Sequence, residues 1–192
     1  MEIIKSLLHV PFIRSLFIFV NRILLFPFYK NEFLKGYYFE QKTMGWLWAW
    51  KAVPFKLVGV NNNIPWPASP NIKLHNYKNF IFPQDSINIF QSPGCYYNNF
   101  SAKIIIEEGV YIAPNVGIIT SNHDLKNPDL HLPGEDVVIK KNSWIGMNAV
   151  ILPGVILGEN TVVGAGAVVT KSFPNGNCVI AGNPAKFVRE IR

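Results

Sequence analysis

Two histidines eight residues apart, His123 in SNHD and His131 in LHLPGED, share a polar stretch, residues 121–136, that interrupts an otherwise aliphatic part of the chain. An imidazole titrates near neutrality and can take a proton from a hydroxyl that is barely ionised, so either residue has the chemistry of a general base. His123 opens the stretch and is the first candidate, with His131 as a second base or an acceptor contact. Asp124, Glu135 and Asp136 have the chemistry to orient an imidazole or bind hydroxyls, although carboxylates in a polar loop are more often simply solvated. His75 falls in an irregular region and His9 in an apolar one, so neither has catalytic surroundings. Cys95 and Cys178 show no metal or redox spacing, which points to a reducing compartment.

What must position these groups is a six-residue rhythm. Ile139, Ile145, Ile151, Leu157, Val163 and Val169 are spaced by six, and Ile106, Ile112 and Ile118 extend the series upstream. Each segment places a small or β-branched residue four positions later: Ala149, Val155, Thr161, Ala167. Helical periodicity does not produce this pattern. A short strand that turns a corner every six residues does, with an aliphatic side chain inside, a small one beside the bend and Gly where the backbone must be permissive. Three such strands make one coil of a triangular prism, a reading that outweighs an ordinary sandwich of short strands. From Ile118 to Ile139 the spacing is 21, three more than a full coil, and the histidine-bearing stretch lies in that break. Polar excursions from a rigid solenoid are where function tends to sit.

The chain is 49% hydrophobic, ample for a core, and carries a net charge of +6. The excess is N-terminal, with eight Lys or Arg against three acids in residues 1–60 and ten against nine in the rest. No basic recognition motif appears, which argues against nucleic-acid binding. Residues 6–29 are very apolar, but Arg14 and Arg22 leave too short an uncharged run to span a bilayer, and no cleavable signal is evident. Wound as a helix between Pro11 and Pro27, the segment gathers Arg14, Ser15, Asn21 and Arg22 on one side and Phe12, Ile13, Leu16, Phe19, Val20, Ile23 and Leu24 on the other. Such a helix suits the headgroup boundary of an anionic leaflet. The tract after it, with Tyr37, Tyr38, Trp46, Trp48 and Trp50 among lysines, is of interfacial composition. The competing reading is a cap on the solenoid or a packing surface between subunits. The division expected is 1–60, helical and membrane-associating, then 61–192, the solenoid with its loop at 121–136.

NSWIGMNAVILPGVILGENTVVGAGAVVTK followed by AGNPAKFVREI resembles the C-terminal half of the bacterial hexapeptide-repeat acyltransferases, the left-handed β-helix enzymes that include galactoside, maltose and polysaccharide O-acetyltransferases. The resemblance implies a left-handed parallel β-helix, with the N-terminal amphipathic helix before it and a short C-terminal helix after it. It implies a homotrimer using acetyl-CoA and no metal, acting on a sugar or glycan acceptor, free or lipid-linked, in building a bacterial surface polysaccharide. His123 takes the place of the catalytic base. Asn99, with Asn98 beside it, Asp124 and His131 are the acceptor-side candidates, and the family's usual proline after the histidine is replaced here by Asp124. Trp144, Gly146 and Met147 should lie near the thioester, where a main-chain N–H could hold the oxyanion. Ala165, Gly166, Thr170 and Lys171 should contact CoA, with Lys186 and Arg189 near its phosphates. The location implied is the cytoplasmic side of the inner membrane, peripheral, or the soluble cytoplasm if the N-terminal segment is only a cap. The alternatives are an N-acetyltransferase for a nucleotide-linked amino sugar, which would favour a nucleotide-sugar domain not evident before residue 61, and a non-catalytic membrane scaffold. A zinc-dependent carbonic anhydrase of the same solenoid type needs three histidines in register, and only His123 and His131 are suitably placed.

Overall fold

The computed structural model describes residues 10–191; His9 and the start of the apolar segment lie outside it. The chain forms two compact units that divide between Ala68 and Ser69.

The solenoid occupies the second unit. Its strands are two to five residues long and fall into three sheets. The first face contains Lys73–Leu74, Tyr96–Asn98, Gly117–Ile119, Val150–Ile151 and Val168–Val169. The second contains Phe80–Ile81, Ile104–Ile106, Val137–Ile139 and Ile156–Leu157. The third contains Tyr111–Ile112, Trp144–Ile145, Val162–Val163, Cys178–Ala181 and Lys186–Glu190. All pair in parallel except the last two strands. The faces close into a left-handed parallel β-helix. Every aliphatic residue of the six-residue series is inside, none more than 5% exposed, and Ala149, Val155, Thr161 and Ala167 are buried beside the bends.

The bends recur at the same period. Gly109, Asn115, Asn142, Asn148, Gly154, Asn160 and Gly166 all have positive φ. Asn tolerates the left-handed region better than other side chains do, so the corner signal is asparagine as much as glycine.

Partners on adjacent coils are 18 residues apart where the rhythm is unbroken, as in Ile139 and Leu157, and 33 apart across the excursion, as in Ile106 and Ile139. The excursion therefore adds 15 residues at one corner. The 21-residue gap is one ordinary step plus this insertion, not a coil plus three. The expected C-terminal helix is absent: Gly182, at φ 100°, turns the chain back and Lys186–Glu190 pairs antiparallel with Cys178–Ala181. Those four residues would otherwise end the third face with unpaired N–H and C=O groups, and the hairpin satisfies them.

In the first unit, helix α1 spans Pro11–Leu25 and helix α2 spans Met44–Leu57. Pro11 is tolerated in the first turn, where no N–H is needed, and α1 stops two residues before Pro27. The apolar and polar sides of α1 are those expected, but on the polar side Asn21 and Arg22 are turned inward, while Ser15 stays exposed. Asn21 is buried and accepts a hydrogen bond from Trp50 Nε1 at 2.8 Å, while Arg22 pairs with Glu40 at 2.7 Å and donates to the Leu34 carbonyl. Phe12, Leu16, Phe19, Ile23 and Leu24 are more than half exposed. Arg22 is thus a tie within the unit and not a free headgroup contact. Trp46 is likewise buried, donating to the Phe39 carbonyl at 2.9 Å. Lys56 closes the end of α2, donating to the carbonyls of Asn61, Asn62 and Ile64. Among the described residues no helix is long and apolar enough to cross a membrane.

Candidate active site

The excursion is a small hairpin. Asp124 N–H donates to the Leu130 carbonyl at 2.9 Å and Leu132 N–H to the Asn122 carbonyl at 2.8 Å, which makes His123 and His131 a directly opposed antiparallel pair. Because these two bonds flank the pair, it is the non-hydrogen-bonded kind, in which side chains lie closest. The imidazoles stack with centroids 4.2 Å apart and planes tilted by 39°. His123 Nδ1 lies 2.6 Å from the Pro128 carbonyl. A carbonyl can only accept, so Nδ1 carries the proton and Nε2 is left as the basic nitrogen.

Asp124 has a local role. Its Oδ1 accepts from the N–H groups of Lys126 and Asn127 at 2.7 and 3.0 Å, forming the turn that carries Pro128. Its own N–H closes the hairpin, which a proline at this position could not do. Asp124 therefore shapes the loop through Oδ1. Asp136 Oδ1 accepts from Lys103 N–H at 2.7 Å. Glu135 N–H donates to the Thr120 carbonyl at 2.8 Å, so the loop's exit is tied down as well.

Asn99 calls for a correction. It is fully buried, and both ends of its amide are spent on the Asn76 backbone, at 3.0 and 2.7 Å. Its neighbour Asn98 faces the other way, as strand alternation requires. Asn98 Oδ1 is buried without a partner among the described residues, and its carbonyl accepts from the N–H and hydroxyl of Thr120 at the root of the loop. A buried orphan acceptor is rare in a folded chain. Asn98 is thus the better acceptor-side candidate.

The residues expected to hold CoA are arranged along the third face and its next corner. Tyr111, Trp144, Val162, Val179 and Arg189 are successive partners across that face. Beside them Gly146, Gly164 and Ala181 form a close-packed line: a Cβ on Gly146 would lie 2.6 Å from the Val163 carbonyl oxygen and 2.7 Å from Ala165 N, and one on Gly164 2.9 Å from the Ala181 Cβ. Ala181 pairs with Lys186, and a register shift in the hairpin sets Lys186 and Arg189 opposite Ala181 and Val179, which lie on one side of their strand. Met147, Ala165 and Gly166 form the corner between the third and first faces and are exposed. Trp144 and Gly146 N–H are committed to the Thr161 and Val163 carbonyls, which removes them as oxyanion donors, whereas Met147 N–H has no acceptor among the described residues.

Thr170 and Lys171 lie at the other end of the first face, on the corner that also carries the hairpin. Lys171 Nζ sits over the Phe173 ring at 5.9 Å, beside a groove of about 490 Å³ lined by Asn175, Phe187 and Ile191 among others. The sequence reading overlooked Asn98 as first choice, the Pro128 carbonyl and Phe100. The Asn127-Pro128-Asp129 turn was the available signal for the hairpin. His131 and Glu135 are exposed, and among the described residues no group of three or more His, Cys, Asp or Glu side chains is placed to hold a metal.

Residues 136–171 match the family described as bacterial transferase hexapeptide (six repeats). The galactoside O-acetyltransferase of Escherichia coli strain K12 is 41% identical over 106 residues, covering 50% of this chain and 51% of that protein. That of Lactococcus lactis is 36% identical over 105 residues, half of each chain. The chain spans about half the length of these relatives. A galactoside acetyltransferase solved in complex with coenzyme A superposes with a TM-score of 0.57 at 31% identity, over 66% of this chain and 62% of that one. A maltose O-acetyltransferase from Clostridium difficile 630 gives 0.52 at 34% identity, over 64% of each.

Proposed function

We propose that this chain is an acetyl-CoA-dependent acetyltransferase that acylates a hydroxyl of a sugar or glycan, in the making of a bacterial surface polysaccharide, with His123 as general base. The observation that carries the reading is the Pro128 carbonyl 2.6 Å from His123 Nδ1, which leaves Nε2 to accept a proton. In the reaction Nε2 takes the acceptor hydroxyl's proton as the oxygen attacks the thioester carbonyl. The C–S bond then breaks, the ester forms, and the CoA sulfur leaves with that proton. The likeness to galactoside O-acetyltransferases supports the donor and the acceptor class. Asn98 is the acceptor-side hydrogen-bonding group. Trp144, Gly146, Met147, Ala165 and Gly166 flank the pantetheine, and Thr170, Lys171, Lys186 and Arg189 bind toward the nucleotide end. The test is thiol release from acetyl-CoA by the purified protein with the surface glycan of a strain lacking it. Ester formation that His123→Ala abolishes is expected; no acetylation of any glycan hydroxyl would overturn the reading.

The same reading calls for a trimer. The hairpin with His123 projects from the corner after the first face, whereas Met147, Ala165 and Gly166 lie on the corner before it. One prism therefore holds the base and much of the donor surface on different corners, and a site that uses both joins corners of neighbouring prisms. Leu125, Leu130 and Leu132 stand exposed on the hairpin, at 97%, 57% and 43%, where a neighbouring prism would cover them.

The first unit is assigned to a membrane surface. Its helix α1 commits Asn21 and Arg22 to internal ties and shows phenylalanine and leucine outward, the polarity expected against hydrocarbon and not against water. The charge excess of residues 1–60 favours an anionic leaflet. On this reading the enzyme sits peripherally on the cytoplasmic side of the membrane, within reach of lipid-linked acceptors, and is soluble in the cytoplasm if the first unit is only a cap.

A further inference from the structure

The hairpin sets two imidazoles face to face, yet the reaction proposed above needs one base. We infer that His131 is a positioning residue: held between Phe100 and His123, it fixes the orientation of the His123 ring through its own ring face and not through its nitrogens. The inference rests on the reading of His123 as the base.

Three observations carry it. At 4.2 Å between centroids and 39° between planes, the two imidazoles are stacked, and no hydrogen bond joins them. The ring of His131 makes no hydrogen bond to any described residue, so neither of its nitrogens is oriented as those of a base would be. On its far side it meets Phe100 edge to face, with centroids 4.9 Å apart. Phe100 lies two residues past the end of the Tyr96–Asn98 strand of the first face, and its other ring neighbour is His75, at 6.2 Å. His75 is in turn anchored by Nδ1 at 3.2 Å from the Tyr97 carbonyl and by the Tyr96 ring at 5.4 Å. A continuous run of ring contacts thus leads from the coil to His123.

The physical need is clear. His123 sits on an exposed hairpin, and its single hydrogen bond, to Pro128, fixes which nitrogen is protonated but leaves the ring free to swing about that bond. A ring against one face removes that freedom. Offset aromatic pairs are individually weak, about 0.5–1.5 kcal/mol beyond area burial, but a misplacement of about 1 Å at a reacting group can cost on the order of a hundredfold in rate.

The test compares His131→Ala, His131→Phe and Phe100→Leu in the full-length protein. Two readouts are used: steady-state kinetics, and the ¹H–¹⁵N and Cε1–H NMR signals of His123 without substrate. His131→Ala should lower kcat by roughly tenfold to a hundredfold, leave the KM for acetyl-CoA within about twofold, and abolish the ring-current shift of His123. His131→Phe should restore both, and Phe100→Leu should fall between. If His131→Phe is as inactive as His131→Ala, the imidazole nitrogens matter and positioning is refuted. Unchanged His123 signals in His131→Ala would refute it equally. The NMR arm reads the ring contact whether or not an acetyl acceptor is found, so failure of the proposed reaction and failure of this inference are separable.

Discussion

Pro128 supplies the carbonyl that decides the chemistry of His123, and Asp124 holds that carbonyl in place with one carboxylate oxygen on two N–H groups. Removing the proposed base, His123→Ala, should lower turnover by about 10² to 10⁴ with acetyl-CoA binding unchanged by calorimetry; retained turnover would assign the base elsewhere. The two asparagines at the root of the loop should separate cleanly. Asn98→Ala should reduce acceptor turnover with little change in melting temperature. Asn99→Ala leaves the part-buried Asn76 N–H without its acceptor and the Asn76 carbonyl with only the Asn79 N–H, and should cost about 1–3 kcal/mol of stability, read by thermal unfolding. The opposite ranking would return the acceptor contact to Asn99. His123 was legible from its surroundings in the sequence, but the choice between Asn98 and Asn99 was not. They are adjacent, alike in chemistry, and distinguished only by which face of the strand each occupies.

Among the elements, the solenoid was the most legible because a single period repeats along it, and its interior series needed no correction. What the period could not show was the end of the chain, since the final strand obeys the needs of an open sheet edge and not the six-residue rule. Gly146 is a test of how tightly the coils meet. Gly146→Ala places a methyl against backbone atoms of the next coil, which cannot rotate away, and should cost about 1–3 kcal/mol, measured by denaturant unfolding; a neutral outcome would show that the coils can separate there. In the first unit, Lys56→Met removes a donor from three carbonyls, of which only that of Asn61 keeps another among the described residues, the Ile64 N–H, and should cost about 2 kcal/mol, followed by tryptophan fluorescence. Burial pushes the Lys56 ammonium down to about 8 from the usual lysine value. The folded form therefore holds its proton less tightly than the unfolded one, and stability linked to this group is gained as pH rises from about 8 toward the ordinary lysine range. The advantage of the wild type over Lys56→Met should widen across that window.

At the scale of the whole molecule, the amphipathic character of α1 was visible in the sequence, but its orientation was not, because the ties from Trp50 and Glu40 come from residues 29 and 18 positions away. Light scattering should report three chains per particle, and a fully active monomer would refute a site shared between prisms. Flotation with anionic vesicles should carry the full-length protein upward, less so at high salt, and should fail for Phe19→Glu. Protein that stays in the soluble fraction and behaves as a uniform particle without detergent would make the first unit a structural cap.

The pairing of Ile106 with Ile139 has a bearing on how such chains diversify. The coil resumes in register on the far side of 15 inserted residues, so the pairing of the strands does not depend on how much chain is threaded between Ile119 and Val137. Apart from the two histidines and the ties at its root, that stretch is in effect an exchangeable cassette, open to changes of length and composition while the scaffold stays constant.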